Sequence, residues 1–431
     1  MHKRYFIRPL EHALTTDAPK INQQYGFGAW PSKNFSVKQR SIQKRWGYSE
    51  DRDLEEYVYK VLKYETSTGS RYCVYLTEDD VAIRTTGANE TWQYITETWT
   101  TDTIASISGA TVTKSAGTSW VGNVAVGDYF ILGDDHSAAA EPDANWAVIK
   151  TVDSANQITL TASYTGTTGS TWTKAYKIRK IYSVPTNESW GHCIVADSLV
   201  VVNGDIQPQY WAGSNYLANI DDSDTINKAR YCIEYGNRVL VADYGSTRAP
   251  TSVAWSSNTD ITEWDSGVDT TAGQNEFKDT GSFITGLGKI GPNLIVYFRD
   301  LIVVGNRTGI SDAPFTFSIT KPGVGLVAPQ SLVEFQGTNA FVGDNNFYKM
   351  EGTAPIPLDE QGKMREKFFD IVGKTEIQNT VGFHNKLENE LVWIANTKAD
   401  GKLAFAYNYL FGEWTVNEYA HDITCGGVGA I

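Results

Sequence analysis

The sequence predicts an all-β fold built on a repeated hairpin: a β-propeller of about six blades with a small β-barrel or sandwich inserted near its start. Three observations support this. The 431 residues are rich in aromatics (12%) and Gly (38) but hold only 3 Met, a balance that favours pleated strands and tight turns. A strand–turn–strand module recurs every 40–56 residues between Asp197 and Asn389, the period of a propeller blade. One stretch, residues 97–182, interrupts that period with a different texture.

The module has an alternating apolar strand, a short polar or Gly turn, and a second strand of Val, Ile, Leu or aromatics. It is legible at GHCIVADSLVVVNGD (turn at Asp197-Ser198), RYCIEYGNRVLVAD (Gly236-Asn237) and FITGLGKIGPNLIVYF (Gly291-Pro292-Asn293). It returns at SLVEFQGTNAFVGDNNFYKM and VGFHNKLENELVWIAN. The second strands begin near Asp197, Asn237, Asn293, Asn339 and Asn389, separations of 40, 56, 46 and 50 residues. An earlier hairpin, Tyr57 to Arg84 with its turn at Thr68-Gly69-Ser70, precedes Asp197 by 127 residues. Removing the 86 residues of 97–182 restores the spacing to 41.

The expected layout is therefore an extended arm at 1–53, a first blade at 54–96, an inserted β domain at 97–182 and the remaining blades at 183–431. In the insert, GNVAVGDYFILGDD, WAVIKTVDSANQITLTASY and KAYKIRKIYS read as strands. The convincing helix signal is DEQGKMREKFFDIVGK, with Asp359 as N-cap and Met364, Phe368 and Ile371 on one face. The C-terminal EYAHDITCGGVGAI could supply a closing strand.

Charge is segregated along the chain. Residues 1–46 hold nine Lys/Arg and two Asp/Glu, a balance of +7, which leaves −20 on the remainder of a chain whose total is −13. An acidic body argues against a sequence-independent grip on nucleic acid. The basic arm suits docking on an acidic neighbour, and it could equally touch DNA or only solubilise the chain. Its candidate docking residues are Lys33, Lys38, Arg40, Lys44 and Arg45.

Catalytic signatures are not found. Gly373-Lys374-Thr375 resembles the end of a phosphate loop, but Phe368 stands where the earlier Gly is required. His2, His12, His136, His192, His384 and His421 lack ligand spacing, so neither a metal nor another cofactor is expected. Asp134-Asp135 and Asp221-Asp222-Ser223-Asp224 read as solvated turns. SSNTDITEWD (Ser256 to Asp265) departs from the sialidase Asp turn at three positions. Cys73, Cys193 and Cys232 fall in predicted strands and Cys425 near the end, which predicts buried thiols rather than a disulfide framework. No secretory signal or membrane-spanning stretch is read. The expectation is a non-enzyme.

Three segments resemble the tail hub or nozzle proteins of short-tailed, podovirus-type bacteriophages. The first is the arm running through QKRWGYSED into VYKVLKYETSTGSRYCVYLTEDDVAIRT. The second is TSVAWSSNTDITEWD, and the third is the insert's GTSW, VGDYFIL and WAVIKTVDSANQITLTASYTG. The resemblance implies a virion structural protein made in the host cytoplasm. It would form a ring, as a hexamer, below the portal and adapter beside the tail fibres, holding and guiding DNA that passes without specific binding. The alternative class is a carbohydrate-binding or glycan-cleaving propeller, an adhesin or glycosidase, with the 13 Trp stacking on sugars.

Overall fold

The structure, a computed structural model, describes residues 35–38, 41–44, 57–85, 92–96, 102–136, 145–186, 188–221, 225–266, 271–278, 280–310, 313–360, 362–398 and 401–418. It is all-β: six four-stranded antiparallel meanders, the blades of a β-propeller, and one closed six-stranded barrel. A short N-terminal hairpin, β1 (Phe35–Lys38) and β2 (Ser41–Lys44), precedes them. Each blade uses four consecutive strands, as expected where short turns join neighbours.

The chain divides into two compact units. The first comprises Glu56–Arg230 with Val428–Ile431. It opens with blade 1: β3 (Val58–Glu65), β4 (Arg71–Thr77), β5 (Val81–Thr85) and β6 (Trp92–Tyr94). The barrel follows: β7 (Thr103–Ser108), β8 (Thr111–Lys114), β9 (Tyr129–Leu132), β10 (Ala147–Ser154), β11 (Gln157–Leu160) and β12 (Gly169–Arg179). Its strand order is β10-β11-β8-β7-β12-β9, closed by pairing of β9 with β10. Closure removes sheet edges, and it depends on β12, eleven residues long, which pairs with β7 at one end and β9 at the other. Inside, Trp120 donates to the Tyr176 hydroxyl at 3.0 Å beside Phe130 and Tyr164.

Blade 2 completes this unit with β13 (Gly191–Val195), β14 (Ser198–Val202), β15 (Gln209–Trp211) and β16 (Ala218–Asn219). It packs on blade 1 around Tyr64, Leu76, Trp190 and Trp211. Directional bonds fix the register of that packing. Trp190 Nε1 donates to the Thr77 carbonyl at 2.7 Å, and the Tyr64 hydroxyl to the Asp197 carbonyl at 2.8 Å.

The second unit, Met1–Glu55 with Tyr231–Gly427, carries four blades. Blade 3 has β17 (Ala229–Glu234), β18 (Val239–Tyr244), β19 (Ala249–Trp255) and β20 (Gly273–Glu276). Blade 4 has β21 (Ile284–Ile290), β22 (Asn293–Phe298), β23 (Leu301–Arg307) and β24 (Phe315–Pro322). Blade 5 has β25 (Val333–Phe335), β26 (Thr338–Val342), β27 (Phe347–Glu351) and β28 (Ala354–Pro357). Blade 6 has β29 (Val381–Asn385), β30 (Glu390–Asn396), β31 (Lys402–Asn408) and β32 (Glu413–Asn417). Successive blades share apolar layers: Trp255, Phe298 and Phe315 between blades 3 and 4, and Phe347, Trp393, Phe405 and Trp414 between blades 5 and 6. Second strands such as β14 and β22 read as unbroken apolar runs because both of their faces are covered.

Local expectations are met with some shifts. The turn placed at Asp197-Ser198 is one residue earlier: Ala196 and Asp197 have φ of 45° and 58°, and Ser198 already belongs to β14. The hairpin twist requires a turn with two positive φ values, and the chain provides it with an alanine. The helix α1 (Lys363–Ile371) is shorter than the predicted span, and its N-cap position is Gly362. Asp359 still acts as the cap, because its carboxylate accepts from Gly362 N at 3.1 Å and Arg365 N at 2.7 Å. Met364 and Phe368 are buried against blades 5 and 6. Cys73, Cys193 and Cys232 are buried free thiols in β4, β13 and β17; Cys425 and the expected C-terminal strand lie outside the described residues. No helix among the described residues is long and apolar enough to cross a membrane.

Candidate functional site

The most concentrated polar chemistry of the first unit lies where the barrel meets blade 1. Strand β12 alternates Tyr176 and Ile178 into the barrel core and ends in Arg179, a guanidinium 5% exposed. Rings flank it on several sides: Tyr94 of β6 at 3.9 Å from its Cζ, Tyr129 of β9 at 4.3 Å and Trp146 at 5.0 Å. Aromatic faces are electron-rich and hold a cation by its charge, more strongly when water is excluded.

The charge is balanced by Asp80, fully buried in the turn between β4 and β5, with Oδ2 at 3.3 Å from Arg179 Nε. Thr96 donates to Asp80 Oδ1 at 2.9 Å, and Asp80 N donates to Thr77 Oγ1 at 3.1 Å. Two bonds extend the junction along the backbone. Tyr182 N donates to the Asp79 carbonyl at 2.8 Å, and Ile181 N to Asp128 Oδ1 at 3.3 Å. Burial raises the Asp79 carboxyl above the ordinary range, with Arg179 pulling it back. The barrel is thus attached to its blade through a desolvated ion pair in an aromatic cage, an arrangement that resists hinging.

The residues singled out from sequence are dispersed. Lys38 ends β1 and Lys44 ends β2. In the backbone register Lys44 is opposite Phe35 and Lys38 opposite Ser41. Lys33, Arg40 and Arg45 lie outside the described residues. His192 sits half-buried on β13 next to Trp190, and burial, reinforced by Lys60, pushes its pKa down to about 3. It is a neutral imidazole at pH 7.

Both acidic clusters make local bonds where described, and Asp221, read from sequence as part of a solvated turn, is instead buried. Asp135 accepts from the Tyr164 hydroxyl at 2.9 Å and from Thr167 N and Oγ1 at 2.8 and 2.7 Å, while Asp134 pairs with Lys174. Asp221 accepts from Ile226 N at 2.6 Å; positions 222–224 lie outside the described residues. Asp260 closes a local turn by accepting from Thr262 N and Oγ1 at 2.8 and 2.7 Å. Among the described residues no three His, Cys, Asp or Glu side chains converge as a metal site.

Sequence reading does not find the caged arginine. Asp80 and Arg179 are almost a hundred positions apart, and each sits in a segment with other charges, Glu78-Asp79 and Lys177-Lys180. The one legible hint is parity: Arg179 closes a strand whose preceding residues alternate into the core.

No family model matches the chain, and no curated protein does. Solved structures do. PorZ of Porphyromonas gingivalis aligns over 87% of this chain at 10% identity and a TM-score of 0.39. A phage phi92 endosialidase aligns over 68% at 12% identity and 0.25, and AofleA from Arthrobotrys oligospora over 87% at 8% identity and 0.33. The chain spans 34% of PorZ, 52% of the endosialidase and 92% of AofleA.

Proposed function

We propose that this chain is a non-catalytic virion subunit, a tail hub or nozzle protein of a short-tailed bacteriophage. It assembles as a ring, simplest as a hexamer, against portal and adapter, and it holds and guides DNA during ejection. The observation that carries the structural reading is the caged Arg179–Asp80 pair. A subunit that must keep its place while a polymer moves past it needs modules that do not swing, and a desolvated ion pair under three rings supplies such a joint.

Segregated charge supports the same reading. Carboxylates in excess on the body repel phosphates, so DNA slides without adhering. The +7 of residues 1–46 suits an acidic neighbour. The test is the quadruple variant Lys38→Gln, Arg40→Gln, Lys44→Gln and Arg45→Gln. It is expected to fold, by circular dichroism and melting, and to be missing from assembled particles. Incorporation at the wild-type level would remove arm docking from the proposal. Release of sugar from a host polysaccharide by the purified chain would replace the whole reading with a glycan-cleaving one.

A further inference from the structure

In the second unit, the turn Tyr235–Arg238 gathers two guanidinium groups around one aromatic pair. The rings of Tyr235 and Phe315 have centroids 5.3 Å apart. Arg307, at the end of β23, holds its Cζ 4.9 Å from the Tyr235 ring. It also lies along Gly236, where an added Cβ would stand 3.2 Å from Arg307 Nε. Arg238 closes the turn, with its Cζ 6.0 Å from the Phe315 ring.

Arg238 is 5% exposed. Its Nη1 donates to the carbonyls of Ser256 and Thr271, both at 2.9 Å, and to Thr271 Oγ1 at 2.7 Å. All three acceptors are neutral. The bonds use Nη1 alone, which leaves the donors on Nε and Nη2 for another acceptor. Among the described residues neither Arg238 nor Arg307 forms an ion pair. The neighbouring carboxylate, Glu234, is engaged by Lys289 at 2.6 Å and by Asn237 N at 3.1 Å. Burial and the positive charge of Arg307 both lower the Arg238 pKa.

A desolvated charge is ordinarily matched by an opposite one, since removing it from water is costly. Here the charge that bears on Arg238 is that of a second cation, Arg307. We propose that the Tyr235–Arg238 turn and Arg307 form an oxyanion seat, which binds one carboxylate or phosphate group between the two guanidinium forks. A planar fork matches both oxyanions through paired N–H donors. The Tyr235 hydroxyl is committed to the Pro292 carbonyl at 2.6 Å, so that ring contributes a face rather than a donor. The seat is independent of the assembly reading.

The experiment titrates the full chain with inorganic phosphate, with glucuronate and, as a neutral control, with glucose, at constant ionic strength. Calorimetry and thermal melting are the readouts. The expected result is saturable binding of at least one anion, none of glucose, and a loss of about tenfold or more in Arg307→Gln, the effect of one charge-assisted pair. Arg307 is exposed, so this variant is expected to fold. Phosphate alone would identify a phosphoryl ligand, glucuronate alone a carboxylate-bearing sugar or acidic side chain, and both a seat that does not discriminate. The proposal is overturned if neither anion gives a saturable response, or if Arg307→Gln binds as tightly as the wild type.

Discussion

At Arg179 and Asp80 the physics is asymmetric. A buried pair adds little net stability over apolar residues of the same shape, whereas one buried charge left alone is very costly. Arg179→Met, which strands Asp80, is therefore expected to lower stability by about 3–5 kcal/mol. Adding Asp80→Asn, which retains an amide oxygen for the Thr96 hydroxyl, should recover a large part of that loss. Urea unfolding of both single variants and the double measures the coupling. Costs that simply add would mean that the two groups do not act as a pair. The same loss should appear as faster amide exchange at Ile181 and Tyr182, whose N–H groups complete the junction. Tyr94, Tyr129 and Trp146 come from separate strands and a loop, which is why sequence gives them no common signature.

At the scale of elements, the hairpin turns show what a sequence can and cannot declare. Gly236-Asn237 advertises itself because Gly and Asn tolerate positive φ. Ala196-Asp197 does not, because alanine has no preference for that region; the turn is visible only as a polar gap between two apolar runs. The strand pair β7 and β8 is likewise faint, since TIASIS and TVTK bury only Ile104, Ile107 and Val112 among apolar residues and are otherwise Ala, Ser, Thr and Lys. Two substitutions of opposite sign test the turn argument. Gly337, at φ 74° with nothing near an added Cβ, isolates the backbone cost, so Gly337→Ala is expected to destabilise by about 1 kcal/mol. Ala196→Gly relieves the same strain and should stabilise by a few tenths to about 1 kcal/mol, less whatever the freer unfolded chain removes. Melting curves that move in the same direction for both would show that side-chain contacts, and not φ, govern these turns.

For the whole molecule, the architecture was more legible than the site because a period survives many substitutions while a contact does not. Five hairpins at 40–56-residue spacing, each with a strand buried on both faces, leave few folds available, and the odd texture of 97–182 marks the barrel. Charge distribution is the other property visible at this scale, and it yields a sign that composition alone would reverse. A chain of net charge −13 should flow through a polyanion column at pH 7 if its charges were evenly mixed. With +7 concentrated in the first 46 residues, local attraction can outweigh the net repulsion, because screening limits each interaction to about one Debye length, roughly 10 Å at 0.1 M salt. The full chain is therefore expected to be retained on heparin at low salt, to elute well below physiological ionic strength, and to pass unretained once Lys38, Arg40, Lys44 and Arg45 are Gln. Retention unchanged by those substitutions would place the attraction on the body and remove the proposed acidic, DNA-repelling surface.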